Sequence, residues 1–251
     1  MTTQGETRAW FPNVRFDPHA RLRLFCFPYA GGGAQIYRNW QAGLPSEIEV
    51  CPVQLPGRGS RLKEQGFTSL PALTEELKRV IRPHLDKPFA FFGHSMGGMI
   101  TFELARSLRE ASAPQPVHLF IAGRRAPQVS VEEEVTYNLP EEEFKERLRD
   151  IKGTPDEVLD HPELMQMMLP LLRADFELVE TYEYQPGRLL DCPVSAYGGL
   201  EDVDVPGEQL GEWREETTGA FNQRMFPGGH FYLHAARERL LQMVSLDLRA
   251  L

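Results

Sequence analysis

The pentapeptide GHSMG at 93–97 is a G-x-S-x-G pattern, and it stands between an apolar run at 89–92 and a segment of helical character at 96–109. A strand that turns sharply into a helix exposes the middle serine, and small flanking residues are needed because the two backbones crowd together there. The amino-terminal end of the helix, where its dipole is positive, would also point at the reacting centre. We therefore predict that Ser95 is a nucleophile and that the backbone N–H of Met96 donates to an oxyanion.

A serine hydroxyl needs a general base at neutral pH, and in this arrangement the histidine follows both the serine and the acid along the chain. Among the seven histidines, His230 is favoured because it lies in the loop FPGGHF at 226–231, after the last predicted strand and before the last predicted helix. The carboxyl ends of parallel strands are where such sheets collect their catalytic groups. His234, one helical turn further on, is the competing candidate.

The acid is expected after a late strand, where the loop GGLEDVDV at 198–205 supplies three carboxylates. Spacing alone leaves Asp202 and Asp204 as equal candidates, with Glu201 behind them. The chosen carboxylate would accept the second ring N–H of His230 and stabilise the imidazolium. A second oxyanion donor is expected from the glycine-rich loop FPYAGGG at 27–33, which follows the first predicted strand.

Short apolar runs alternate with helical patterns along most of the chain, which predicts an α/β fold whose mostly parallel central sheet carries helices on both faces. The predicted strands are 21–27, 49–53, 89–92, 117–122, 193–197 and 221–226, and the predicted helices between them are 36–42, 70–85, 96–109, 207–216 and 233–248. The first 15–20 residues read as a loose lead-in. At 251 residues the chain fits a single domain, residues 1–251.

One long segment, at about 124–187, lacks strand patterns and contains helical patterns at 139–151 and 162–182. We interpret it as a helical lid inserted between two strands, and an ordinary pair of crossover helices is the alternative.

The formal net charge of −9 argues against a nucleic-acid ligand, which would favour a basic surface. Neither a signal peptide nor an apolar stretch long enough to span a bilayer is apparent, so we expect a cytoplasmic protein that does not engage membranes. Cys26, Cys51 and Cys192 lie far apart in apolar runs and are expected to be buried, reduced thiols. No metal-ligand spacing and no phosphate-binding glycine motif is present, so neither a metal nor a cofactor is expected.

Six stretches in order resemble one family: FCFPYAGGGA at 25–34, QLPGRGSR at 54–61, FFGHSMGG at 91–98, RADFELVETYEY at 173–184, GGLEDVDV at 198–205 and FPGGHFYL at 226–233. Together they resemble the external type II thioesterases, the stand-alone editing enzymes of polyketide synthases and nonribosomal peptide synthetases. The resemblance runs from about residue 21 to the carboxyl terminus.

The resemblance implies an α/β-hydrolase fold with a mobile lid, and Ser95, Asp202 and His230 as the catalytic triad. It places the oxyanion donors on Ala30 and Met96. Where family members commonly have Asp-Pro, this chain has Asp-Val followed by a further aspartate at 204, which keeps the choice of acid open.

By the same resemblance, the substrates are acyl or aminoacyl thioesters on the phosphopantetheine arm of acyl- or peptidyl-carrier domains, and the enzyme needs no cofactor. We expect a monomer. The alternatives are a medium-chain fatty-acyl thioesterase, a carboxylesterase acting on oxygen esters, and a non-catalytic module that docks on carrier domains. The intact serine, histidine and acidic loops argue against the last of these.

Overall fold

In the computed structural model, which describes residues 3–130 and 134–249, six strands form one parallel sheet in the order β2-β1-β3-β4-β5-β6. The strands are β1 (Leu22–Phe27), β2 (Ile48–Pro52), β3 (Phe89–His94), β4 (His118–Ala122), β5 (Val194–Gly199) and β6 (Phe221–Phe226). Every neighbouring pair is parallel, which confirms the predicted sheet.

The sequence predicts the helices less closely than the strands. They are α1 (Gln4–Trp10), α2 (Leu70–Ile81), α3 (Met96–Glu110), α4 (Glu141–Ile151), α5 (Asp156–Leu159), α6 (Pro162–Glu180), α7 (Gly207–Gly211), α8 (Tyr232–Ala235) and α9 (Arg237–Arg249). The helix expected at 36–42 is instead two 3₁₀ turns, Ala34–Tyr37 and Gln41–Gly43. Helix α2 ends at Ile81, earlier than predicted, and the chain continues as a 3₁₀ turn over Arg82–His84, because Pro83 has no N–H to donate to the preceding turn of an α-helix.

Alternate side chains of the strands enter two hydrophobic cores, one on each face of the sheet. Phe91 packs with α2 and α3 in one core, and its neighbour Phe92 packs with α8 and α9 in the other. Because successive side chains of a strand point to opposite faces, a run such as FAFF is apolar throughout. Helices therefore cover both faces, as predicted.

The chain changes direction in the sheet between β1 and β3. The connection after β1 runs to β2 on one side, and the connection after β3 runs to β4 on the other. The two loops separate at the carboxyl ends of their strands and leave a crevice, the usual ligand site of such sheets.

The amino-terminal lead-in is not loose, so that prediction was wrong. The side chain of Thr3 accepts a hydrogen bond from the backbone of Glu6 and caps α1. Trp10 is buried at 2% exposure, and the guanidinium carbon of Arg61 lies 4.0 Å from the centre of its ring. A short polar stretch is thus held by the aromatic residues at its end.

Helices α4, α5 and α6 lie in the insertion between β4 and β5, and residues 131–133 of this predicted lid fall outside the described residues. The insertion has a small hydrophobic core of its own, formed by Phe144, Leu148, Leu159, Met165 and Leu172. The carboxyl-terminal part of α6 instead joins a sheet core through Leu178. The lid interpretation stays a prediction.

Candidate active site

Ser95 stands alone between β3 and α3 and has a backbone φ of +53°, in a region that residues with side chains seldom adopt. Its backbone N–H donates to the carbonyl oxygen of Ala122 at 2.7 Å, and its own carbonyl accepts from Gly98 at 2.9 Å. The turn is therefore fixed to the end of β4 and to the first turn of α3. Its side chain is partly buried and lines a cavity of about 600 Å³.

The glycines that flank the serine are required by close backbone contacts. A Cβ at Gly93 would lie 1.9 Å from the carbonyl oxygen of Gly97, and a Cβ at Gly97 would lie 2.2 Å from that of Phe27. Neither obstacle is a side chain that could move aside. The two glycines of the G-x-S-x-G pattern are therefore required because β3, α3 and the end of β1 pass close to one another.

His230 and Asp202 meet at the carboxyl edge of the sheet. Nδ1 of His230 lies 2.8 Å from Oδ2 of Asp202, and the Asp202 side chain is almost completely buried. The other oxygen, Oδ1, accepts the backbone N–H groups of Asp204 and Val205, both at 3.2 Å. This carboxylate therefore closes its own turn with one oxygen and orients the imidazole with the other.

The three carboxylates of the acidic loop are separated by this geometry. Glu201 and Asp204 are exposed, and only Asp202 contacts the His230 ring. The acidic and histidine loops are also joined through their backbones. The N–H of Leu200 donates to Phe226 at 2.8 Å, and that of Glu201 donates to Gly228 at 3.0 Å.

Ser95 and His230 line the same cavity, and no hydrogen bond joins their side chains in the described part of the chain. The rings of His230 and His94, the residue before the serine, are 5.2 Å apart between centres. Such catalytic hydrogen bonds are often long before substrate binds. The structure therefore brings the predicted nucleophile, base and acid to one edge of the sheet.

Both predicted oxyanion donors border this edge. Ala30 lies on the loop after β1 and lines the cavity, and Met96 is the first residue of α3. Among the described residues, neither backbone N–H has a hydrogen-bond partner on the protein. Free N–H groups beside a nucleophilic serine are suited to receive a developing oxyanion.

Two further histidines, His94 and His234, lie near the site and have other contacts. His94 is completely buried, and burial together with the nearby His230 lowers its pKa well below the ordinary value. Nε2 of His234 lies 3.0 Å from the hydroxyl of Tyr29, on the loop that carries Ala30. Burial also lowers the pKa of His234. His234, the competing candidate for the base, therefore contacts the loop that carries Ala30.

A second Ser–His–Asp cluster, which the sequence does not indicate, lies between the sheet and α9. Oγ of Ser195 is 2.9 Å from Nε2 of His118 and donates to Oδ2 of Asp247 at 2.7 Å. Because the one hydroxyl proton goes to Asp247, the proton in the other bond comes from His118. Burial lowers the pKa of His118 to about 4, and its Nδ1 is buried with no hydrogen-bond partner among the described residues.

This cluster has the wrong order of contacts for catalysis. In a triad the acid binds the histidine and the serine gives its proton to the histidine. Here the acid binds the serine, whose side chain is fully buried, and Arg224 neutralises the acid. We interpret the cluster as a buried polar network that joins β4 and β5 to α9.

Two motifs without a predicted role also meet in space. Arg58 of QLPGRGSR forms a two-bonded ion pair with Asp175 of RADFELVETYEY, at 2.7 and 2.8 Å. Both side chains are at most 5% exposed. The sequence carries no signal for this pair, because nothing in it joins residues 117 positions apart.

The described ranges, 3–130 and 134–249, contain no cluster of three metal-ligating side chains. In the same ranges no helix has both the length and the apolar character needed to cross a bilayer. Cys26 and Cys51 are buried, as expected, whereas Cys192 is only partly buried, and all three are free.

A serine at a sharp strand-to-helix turn, beside a His–Asp pair on a parallel sheet, defines a serine hydrolase of the α/β-hydrolase fold. The thioesterase domain family matches residues 22–248. The chain belongs to this family and is a thioester hydrolase.

Relatives of known role are similar over almost their whole length. The gramicidin S biosynthesis protein GrsT of Aneurinibacillus migulanus is 43% identical, and the match covers 99% of this chain and 97% of GrsT. The structure of RedJ, the thioesterase of the prodiginine pathway in Streptomyces coelicolor, has a TM-score of 0.86 at 38% identity and covers 96% of this chain and 98% of RedJ. BorB, the type II thioesterase of the borrelidin cluster, has the same TM-score and coverage at 36% identity.

Proposed function

We propose that this enzyme is a stand-alone editing thioesterase that frees carrier domains from stalled acyl or aminoacyl groups in a polyketide or nonribosomal peptide assembly line. By their names, GrsT acts in gramicidin S biosynthesis, RedJ is a thioesterase of the prodiginine pathway, and BorB is a type II thioesterase of the borrelidin cluster. The match to each covers at least 97% of the relative. The partner is then an acyl- or peptidyl-carrier domain bearing a phosphopantetheine arm.

The acylation step uses Ser95 as nucleophile and His230 as base. Oγ of Ser95 attacks the thioester carbonyl while Nε2 of His230 takes its proton. The oxyanion of the tetrahedral intermediate accepts the N–H groups of Ala30 and Met96. When the carbon–sulfur bond breaks, the imidazolium returns the proton to the departing pantetheine thiolate, and the acyl group stays on Ser95.

The deacylation step repeats the sequence with water. His230 removes a proton from water as the water oxygen attacks the acyl-serine, and the same two N–H groups hold the second oxyanion. Collapse releases the carboxylic acid and returns the proton to Ser95. Throughout, Asp202 accepts a hydrogen bond from the Nδ1–H of His230, which keeps Nε2 available for proton transfer.

The observation that carries this mechanism is the 2.8 Å contact between Asp202 and His230 on the edge of the cavity that Ser95 lines. The cavity wall is mixed in character. Apolar side chains such as Leu172 and Phe176 alternate with charged ones such as Arg147 and Asp150. A mixed wall favours short or polar acyl groups over long fatty chains, which suits an enzyme that removes varied stalled intermediates.

We further propose that the enzyme works as a cytoplasmic monomer. We also propose that the insertion at about 124–187 is a lid that controls entry of the carrier-bound acyl group. Support for the lid comes from its separate hydrophobic core and from its side chains on the cavity wall. Shortening α4 should reduce turnover of carrier-bound substrates more than that of small free thioesters. Equal losses for both would contradict gating.

The proposed function is tested by comparing wild type and Ser95→Ala on three substrates: a short acyl group on a carrier domain, the same acyl group on a small thiol, and the corresponding oxygen ester. We expect a loss of at least about 10⁴-fold in kcat for the variant. Wild type should prefer the carrier thioester, and a fluorophosphonate should label wild type only. Comparable turnover by Ser95→Ala would remove the nucleophile assignment, and a preference for the oxygen ester would favour a carboxylesterase.

A further inference from the structure

The loop that bears Ala30 is a tight turn, and separate hydrogen bonds hold its peptide groups. The N–H of Gly32 donates to the carbonyl oxygen of Tyr29 at 2.9 Å, and Gly31 has a φ of +75°. This is the pattern of a type II turn, with glycine at its third position. The Tyr29–Ala30 peptide unit is thereby held at its oxygen, so the direction of the opposite Ala30 N–H is set as well.

The next two residues, Gly31 and Gly32, are held by side chains from outside the loop. The N–H of Gly31 donates to Oδ2 of Asp175 in α6 at 2.7 Å, and Arg58 donates to the carbonyl oxygen of Gly32 at 2.9 Å. Arg58 also binds both carboxylate oxygens of Asp175. One carboxylate and one guanidinium therefore fix the two residues that follow the proposed oxyanion donor.

Helix α6 also packs directly on this loop. A Cβ at Gly31 would lie 2.7 Å from Cδ2 of Leu172, one helical turn before Asp175. Withdrawal of α6 would remove this packing and the hydrogen bond to the Gly31 N–H together. It would also separate Asp175 from Arg58.

We propose that Asp175 is a positioning residue for the reaction: it aims the Ala30 N–H at the oxyanion through Gly31, and Arg58 holds Asp175 in place. The oxyanion hole is then complete only while α6 is docked on the loop. This inference rests on the proposed function, because it takes Ala30 as an oxyanion donor and Ser95 as the nucleophile.

The test compares Asp175→Asn with Glu49→Gln. Glu49 forms another buried ion pair, with Arg23 at 3.2 Å, and takes no part in the proposed site, so it controls for the loss of a buried charge. For Asp175→Asn we expect kcat on a short acyl thioester to fall about 10- to 100-fold with KM changed less than about threefold. The amide NH₂ group cannot accept a hydrogen bond from Arg58, so the side chain shifts and the Ala30 donor is misaimed rather than lost. Affinity for an alkyl boronic acid, whose serine adduct carries an oxyanion, should fall by the same factor. Glu49→Gln should retain kcat and boronate affinity.

Thermal melting of each variant shows whether a loss follows from unfolding, and assays are run well below each midpoint. If Asp175→Asn fails to fold, Arg58→Lys replaces it, because lysine keeps the charge but cannot bind both carboxylate oxygens. The same selective loss of kcat is expected for it. Retention of more than half of kcat by the folded variant, or a loss of kcat with unchanged boronate affinity, would overturn the inference.

A parallel measurement on Ser95→Ala separates this inference from the function on which it rests. If Ser95→Ala is inactive while Asp175→Asn is unimpaired, only the positioning role is wrong. If Ser95→Ala turns over normally, the proposed function itself fails.

Discussion

The assignment of the acid is tested by removing the same charge at two positions of one loop, with Asp202→Asn and Asp204→Asn. Both substitutions keep the size of the side chain and remove one negative charge within a turn of three residues. Only Asp202 is buried and contacts His230, whereas Asp204 is exposed. A difference between the variants therefore reports the contact rather than the net charge of the loop.

The expected loss of kcat follows from the separate contacts of the two oxygens of the Asp202 carboxylate. Its Oδ1 accepts two backbone N–H groups, so an asparagine that turned its amide nitrogen toward them would leave two buried donors unpaired, at about 1–3 kcal/mol each. The amide oxygen of the substituted side chain is therefore expected to stay with the backbone, and its NH₂ group faces Nδ1 of His230. That arrangement favours the proton on Nε2, the wrong tautomer for a base, with a loss of ~10³–10⁴-fold in kcat, or roughly 4–5.5 kcal/mol.

The assay is steady-state hydrolysis of a small acyl thioester, with release of the thiol followed by a disulfide reagent. Asp204→Asn should remain within about threefold of wild type, because exposed charges change local energies little. Thermal melting of both variants shows that the loop still folds. A greater loss of kcat in Asp204→Asn than in Asp202→Asn would refute the reasoning and transfer the role of acid to Asp204.

Three further predictions concern the framework. Gly97→Ala should destabilise the protein by more than about 3 kcal/mol in urea unfolding, because the added Cβ would lie 2.2 Å from the backbone oxygen of Phe27. Trp10→Ala should cost about 3–5 kcal/mol in the same assay, because the ring is buried at the end of α1. Between pH 6.5 and 4, His118 of the unfolded chain binds a proton, whereas native His118 stays neutral because burial lowers its pKa to about 4. The free energy of unfolding should therefore decrease as the pH is lowered, by up to ~3 kcal/mol from this group. His118→Gln should make this pH dependence less steep.

Each of these predictions has a matched control. Gly5→Ala should be tolerated, because the nearest atom to an added Cβ lies 4.0 Å away. Removal of residues 1 and 2, before the helix cap, should cost far less than the loss of Trp10. His19→Gln, at an exposed histidine, should leave the pH dependence unchanged. Normal stability of Gly97→Ala or Trp10→Ala, or an unaltered slope in His118→Gln, would contradict the corresponding argument.

The sheet and the positions of the candidate triad could be predicted because their signals are local. Most strands are short apolar runs with a glycine or proline nearby, and Ser95 and His230 follow strands whose carboxyl ends share one edge. These local signals did not suffice to choose Asp202 over Asp204 as the acid. Exposure and turn hydrogen bonds separate it from Asp204, and neither is visible in the spacing of the residues.

Features set by tertiary packing could not be predicted in the same way. Helix α1 is stabilised by burial of Trp10 against residues far along the chain, so its polar sequence gives little indication of order. The network of His118, Ser195 and Asp247 joins three elements and has no motif. The pairing of Arg58 with Asp175 likewise depends on where α6 comes to rest.

The placement of Asp175 limits how freely evolution can exchange the insertion between β4 and β5. None of the proposed triad or oxyanion groups lies on α4, α5 or α6, so the insertion could otherwise diverge to suit new substrates while the chemistry stayed constant. A chimaera that imported a foreign insertion would, however, leave the Gly31 N–H and the Arg58 guanidinium without their acceptor unless a carboxylate arrived at the same place. Recombination at this junction is therefore expected to succeed only between sequences that keep both halves of the ion pair.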